Sequence, residues 1–298
     1  MQNSLKLIKT NKEVNSMSKK SVPTRLLGKT GEEVSILGLG GYHIGKLDKE
    51  QSIKLIRRSI DEGITFMDNA WCYHQGVSEK IMGEALKNGY REKAFVMTKN
   101  HGRTKERFNK QLEDSLNRLN TDYIDLLQLH EIINFGEPAK IVNEGVLEEA
   151  LKAKKEGKIK YIGFTGHRYP QLHQEMLDID FDWDTVQFPL NVLDYHYRSF
   201  QNQILPQAKE KNMGVIGMKS LAAGHIFKTD IGVEEAIKYS LSMPISTLVI
   251  GIDSMEVLEQ NLEIVRNFEP YSEKELEELR SRFKDEAYKG QHEYYKTD

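Results

Sequence analysis

Short apolar runs alternate along this chain with stretches whose apolar residues recur every three to four positions. The runs fall at 35–40, 65–68, 94–98, 123–130, 160–164, 185–188, 214–218 and 247–251, and they predict strands. The stretches between and after them, near 51–62, 77–88, 104–119, 145–156, 169–177, 200–211, 232–241 and 254–267, carry the helical period. Several open on a plausible cap, such as Asp48 before the first and Ser254 with Glu256 in the last. Eight strand–helix units in strict alternation predict parallel strands with helical crossovers, and eight is the number that closes a barrel. Ahead of them, Lys29-Thr30-Gly31 lies between two apolar runs and predicts a hairpin turn.

The expected fold is therefore α/β: a (β/α)8 TIM barrel over residues 23–271, entered through an N-terminal β-hairpin. Residues 272–298 predict one polar helix and an extended end, a C-terminal helical tail packed on the outside of the barrel. Residues 1–22 hold five lysines and no sustained periodicity, and predict a mobile tail in which Met17 is a second candidate start. An open doubly wound sheet is the competing fold. It needs a glycine-rich turn from the first strand straight into a helix, and residues 36–41 lack the third glycine, with no helical pattern opening there.

Composition narrows the function more than the fold. At about 150 residues per domain, 298 residues fit two domains or one barrel. With 39% hydrophobic and 29% charged residues the chain is an ordinary globular one. Forty-two basic against 45 acidic residues give a net charge of −3, which offers no footing for nucleic acid or an anionic membrane. The single cysteine, Cys72, excludes an internal disulfide framework and a cysteine-based zinc site. The nine histidines show no i, i+4 pair around a carboxylate, so no metal is expected. No run approaches the ~18 apolar residues of a spanning helix, and the first residues lack the apolar core of a secretory signal. A cytoplasmic protein with a small-molecule substrate is the expectation, its oligomeric state open.

Barrel enzymes place their chemistry where strands end and the following loops begin. There the chain puts Asp68 after the second barrel strand, Tyr73 in its loop, Lys99 at the end of the third and His130 at the end of the fourth. Each has an ordinary structural explanation: a helix cap, a rim aromatic, a solvated charge, a core histidine. Four such residues converging on one rim from three neighbouring strands point instead to chemistry. An isolated tyrosine, with a pKa near 10, is a poor proton donor at neutrality. An adjacent ammonium favours the phenolate and lowers that value, and Asp68 can hold Lys99 charged and in place. A His130 N–H can orient a carbonyl oxygen, so the group suits delivery of a proton to an oxygen.

These motifs resemble the aldo-keto reductases over residues 24–270. Asp68 and Tyr73 match the family's Asp-x-x-x-x-Tyr segment, followed by Ser78, Glu79 and Gly83. Lys99 matches its strand-end lysine, and residues 125–130 its Asp-Leu…His strand. The stretch 157–167, GKIKYIGFTGH, is similar to its fifth strand, and 186–191, VQFPLN, to its sixth. The resemblance implies a nicotinamide cofactor, NAD(P)H, delivering hydride to an aldehyde or ketone. Tyr73 would be the acid, Lys99 and Asp68 its tuning pair and His130 the orienting group. It also implies cofactor contacts from Gly41 and Tyr42 at the nicotinamide and from Thr165 and Gln187 at its carboxamide. Met218, Lys219, Ser220, Leu221 and Gly224 would lie along nicotinamide and pyrophosphate, with Gly251, Asp253 and Asn261 towards the adenosine.

Three departures from the family pattern bear on that cofactor. Thr165-Gly166 stands where Ser-Asn is common, so part of the carboxamide anchor would come from His167 or be absent. Met218 replaces an aromatic stacking partner with a softer surface. Ile252, Asp253 and Val257 fall where NADPH-selective relatives place cations for the 2′-phosphate, which predicts NADH use at least comparable to NADPH. Lys228 is the residue that could reach across instead. Trp71, Tyr42, His43, His101 and Trp183 are expected to line the mouth. Two other functions compete: a cofactor-binding redox-sensing partner subunit with little turnover, and a lyase using Lys99 as a Schiff base. A thiol nucleophile built on Cys72 and His74 lacks an orienting partner in the sequence.

Overall fold

A computed structural model describes residues 20–297. The expected mobile tail lies, for residues 1–19, outside the described residues. Val22, at its end, is buried against the outer core.

Strands β1 (Thr24–Leu26) and β2 (Glu33–Ser35) form the antiparallel hairpin that Lys29-Thr30-Gly31 predicts. Eight further strands follow: β3 (Leu37–Gly40), β4 (Phe66–Asp68), β5 (Phe95–Asn100), β6 (Ile124–Leu129), β7 (Ile159–Thr165), β8 (Thr185–Pro189), β9 (Gly214–Met218) and β10 (Thr247–Ile250). They pair in sequence order, all parallel, and β10 returns to β3 to close the barrel. The helices are α1 (Gly41–Ile44), α2 (Lys49–Asp61), α3 (Val77–Ala85), α4 (Lys105–Leu119), α5 (Glu137–Asn143), α6 (Val146–Lys155), α7 (Pro170–Asp178), α8 (Phe200–Gln203), α9 (Leu205–Glu210), α10 (Val233–Ser242), α11 (Met255–Arg266) and α12 (Glu273–Arg282).

Caps start the helices where the sequence indicates. The Asp48 carboxylate accepts from the Glu50 and Gln51 N–H groups, and the Ser254 hydroxyl from that of Val257. Ser272 and Glu275 form a reciprocal capping box on α12. The single helix expected over 200–211 is broken in two, because Pro206 offers no N–H to continue the first segment. Contrary to expectation a helix does open directly after the first barrel strand, the four-residue α1. A short α5, which no periodicity announced, precedes α6.

Two cores result. The larger lies between the strands and the ring of helices. The smaller fills the barrel with Phe66, Phe95, Met97, Leu126, Ile216 and Val249, and is floored by Leu27 and Val34 beside the hairpin. Strand side chains alternate with period 2, so the residues that share the inner face with Phe66, Phe95 and Leu126 are Asp68, Lys99, Gln128 and, just past its strand, His130. The apolar layers thus give way, towards the strands' C-terminal ends, to a polar layer. Among the described residues no helix is long and apolar enough to cross a membrane.

Candidate active site

Asp68 ends β4 and Lys99 lies near the end of β5, each about 2% exposed. The Lys99 ammonium donates to Asp68 Oδ1 at 2.6 Å, to the Asn69 carbonyl at 2.7 Å and to the Tyr73 hydroxyl at 3.4 Å. The second Asp68 oxygen accepts from Gln187 Nε2, at 3.0 Å, across the barrel. Both charges of this buried pair are therefore fully engaged, as such a pair must be to offset its desolvation. Tyr73 opens a turn in the β4–α3 loop, and its ring stands edge-on to Tyr42 and to His130. The four residues predicted to converge do so, and Gln187 joins them.

The electrostatics depart from the sequence expectation at one point. The pull of Lys99 towards the phenolate does not prevail. Burial pushes the Tyr73 phenol well above its ordinary 10, and the Asp68 charge adds to this. The reason is local: the Lys99 charge is already compensated by Asp68, which leaves desolvation to dominate. His130 moves the other way. Burial, then the charge of Lys99, holds it well below 6.5, so it is neutral near pH 7. Its backbone N–H is fixed to the Asn100 carbonyl at 2.8 Å, and its Nδ1 has no partner among the described residues.

The positions assigned to a cofactor fit one. Three buried polar atoms among them have no partner among the described residues: Gln187 Oε1, Ser220 Oγ and Asn261 Nδ2. Burying such atoms unpaired is costly, and a ligand bearing a carboxamide, phosphates and a purine would satisfy them. Thr165 ends β7 in register with Gln187. Gly41 lies so close to the Asp68 carbonyl and Asn69 that a side chain would collide with them. Gly224, at φ +90°, faces open space. Lys219 adopts φ +59° and lays its ammonium over the Tyr295 ring, 5.4 Å from its centre.

Several expectations need correcting. His167 is not free to hold a carboxamide, because its nitrogens meet Glu131 Oε2 at 2.7 Å and the Tyr295 carbonyl at 3.0 Å. Gly166 cannot be replaced by the family's asparagine without collision, since a Cβ would overlap the Ile132 carbonyl. Ile252 is fully buried and unavailable to a phosphate, while Asp253 is exposed. Trp183 does not line the mouth. It precedes β8, and is buried outside the barrel with its indole N–H donated to the Met176 carbonyl in α7. Trp71 ties its loop to α4, donating to Asp114 at 3.1 Å.

Sequence reasoning missed the residues that frame the pocket from other loops. Arg103 donates to the His130 and Glu131 carbonyls and pairs with Glu137. Burial raises the Glu131 carboxyl, but the His167 hydrogen bond and nearby positive charge leave it below the usual range. The chain's last residues turn back over the strand ends in two short turns, not the extended end expected. Lys296, fully buried, donates to Asp194 at 2.6 Å and to Glu293 at 3.0 Å. No local pattern announces a contact such as that between Lys296 and Asp194, which lie 102 positions apart.

Comparison with known proteins points to one family. A profile described as "Aldo/keto reductase family" matches residues 36–235. The chain is 30% identical to L-galactose dehydrogenase of Arabidopsis thaliana, over 83% of its own length and 89% of that protein's. It is 32% identical to aldo-keto reductase YhdN of Bacillus subtilis, over 65% of its own length and 61% of that protein's. Among solved structures, aldo-keto reductase AKR11C1 from Bacillus halodurans in its holo form superposes with a TM-score of 0.75. That match covers 91% of this chain and 99% of the other at 24% identity, a likeness of fold.

Proposed function

The chain belongs to the aldo-keto reductase family of NAD(P)-dependent oxidoreductases, and from that premise we propose that it reduces an aldehyde or ketone to an alcohol with Tyr73 as the proton donor. The observation that carries this reading is the bond pattern around the phenol. Lys99 donates into the Tyr73 oxygen, so the phenolic hydrogen is left to point elsewhere, into the pocket bordered by His130 and Tyr42. A bound nicotinamide supplies the hydride that goes to the carbonyl carbon. The protein's part is to seat the carbonyl oxygen between the Tyr73 hydroxyl and the neutral His130 ring and to pass it the phenolic proton. As the phenol loses that proton, the Lys99 ammonium stabilises the phenolate, and Asp68 and Gln187 keep Lys99 in position. Burial keeps Tyr73 protonated, which suits the reductive direction.

The same geometry argues against a Schiff-base lyase, since a Lys99 bonded to Asp68 and the Asn69 carbonyl has no lone pair to offer. Gln187 Oε1, Ser220 Oγ and Asn261 Nδ2 would receive the cofactor's carboxamide, pyrophosphate and adenine ends, with Thr165, Met218, Leu221, Gly224 and Gly251 shaping its channel. Residence in the cytoplasm belongs to this proposal too. Loss of reduced-nicotinamide absorbance with a panel of aldehydes and ketones tests the reading. Tyr73→Phe should bind cofactor as the parent does and turn over about 10²-fold more slowly, the usual size of a general-acid contribution. Equal turnover by the two proteins would remove Tyr73 as the acid. Cofactor binding with no turnover of any carbonyl would favour the redox-sensing subunit.

A further inference from the structure

The β4–α3 loop, the end of β5 and the end of β6 bring together three side chains that the linear sequence keeps 29 or more positions apart. One ligand atom each of Cys72, His101 and His130 lie within 4.8 Å of one another. His130 is 92% buried, being 8% exposed, and its Nδ1 has no hydrogen-bond partner among the described residues. His101 Nδ1 is likewise buried and unpartnered, and the two rings meet edge to face with centres 4.5 Å apart. Two orphaned imidazole nitrogens beside a thiol are an expensive arrangement unless something is to be held between them.

Against the sequence expectation of no metal and no cysteine-based zinc site, we propose that Cys72, His101 and His130 form a thiophilic metal site at the mouth of the carbonyl pocket, and that a zinc ion held there excludes the carbonyl substrate. The donor set is the reason for zinc. One thiolate and two imidazoles suit a d10 ion in tetrahedral coordination, with the fourth position left to water. Zn–S near 2.3 Å and Zn–N near 2.0 Å place the donors roughly 3.5 Å apart. The trio must therefore close by about an ångström, which small side-chain rotations supply. Binding exchanges the thiol proton for the metal: the S–H bond breaks, the S–Zn bond forms and the proton leaves to solvent, with no change of oxidation state. Burial holds both histidines below their usual range, so neither has to lose a proton first. A hard ion such as Mg²⁺ finds no oxygen ligands in this trio and does not compete.

The exclusion of substrate rests on the reading of His130 as the group that orients the carbonyl; the metal site itself does not. Competition for Zn²⁺ between the full chain and a chromophoric chelator measures the site, alongside steady-state inhibition by Zn²⁺ with the carbonyl and the cofactor varied in turn. Cys72 lies outside the proposed catalytic group, so Cys72→Ser should keep its metal-free turnover and its cofactor affinity. It should bind Zn²⁺ at least about 10²-fold more weakly than the parent. In the parent, Zn²⁺ should inhibit competitively against the carbonyl and not against the nicotinamide. Equal zinc affinity in parent and variant, or no zinc uptake by the parent, would overturn the site. Tight uptake that Cys72→Ser abolishes, but without inhibition, would leave the site standing and overturn the placement of His130 at the carbonyl.

Discussion

In the proposed cofactor site, Asp253 would set the preference at the adenosine end. It is exposed just ahead of the Ser254 cap of α11, and its charge is felt at His43. A carboxylate in that place repels a 2′-phosphate dianion, yet can accept a hydrogen bond from a free ribose hydroxyl. Of the other two residues assigned there, Ile252 is buried and Val257 half-buried, and neither contributes a charge. NADH should therefore bind at least as well as NADPH when both are titrated by fluorescence quenching. A 100-fold preference for NADPH, about 2.7 kcal/mol, would contradict the role given to Asp253. At this scale the sequence was informative where chemistry is tied to a strand end. Asp68, Lys99 and His130 could be placed because a strand's period fixes which side chains face inward. Trp183 misled because it precedes its strand, and so packs in the outer core against α7 instead of reaching the rim.

Helix α7 carries a titratable group into the outer core. His173 is fully buried between β7, β8 and α8, with Phe164 and Phe200 ring centres 5.3 and 4.9 Å away. Its Nε2 meets the Gln187 carbonyl at 3.3 Å. Burial lowers it from 6.5 to about 4. Between those values the unfolded chain takes up a proton that the folded chain refuses. Stability is thus full above about pH 6.5 and falls as the pH drops towards 4, by up to roughly 3 kcal/mol. His173→Gln keeps a donor for the Gln187 carbonyl but cannot titrate. Urea unfolding across that range should show a markedly flatter pH dependence in the variant, and parallel curves would show that His173 does not drive the loss. The long elements were legible because one amphipathic face repeats over several turns, as in α2 and α4. Helix α1 and helix α5, four and seven residues long, show too few turns for any period to emerge.

Across the whole molecule, the chain's end locks the rim that carries the candidate site. Lys296 sits between Asp194 and Glu293, all three essentially inaccessible, while the Tyr295 carbonyl meets His167 and its ring underlies Lys219. A chain ending at Tyr295 would leave two buried carboxylates without their cation. It should lose about 3 kcal/mol in denaturant unfolding; an unchanged midpoint would mean that the cluster is dispensable. The sequence could show the barrel, since strict alternation implies it, but not this lock, whose members meet only after the barrel has closed. At the centre of the molecule lies the proposed step, in which a partly buried, protonated Tyr73, backed by Lys99 and Asp68, gives its proton to the carbonyl oxygen. Single-turnover reduction by the preformed cofactor complex, followed from neutral pH to past 10, tests that step most directly. Because burial holds the phenol well above 10, the rate should stay level through that range, with Tyr73→Phe about 10²-fold slower throughout. A rate that falls away with a midpoint near neutrality, or a Tyr73→Phe variant that keeps pace, would contradict it.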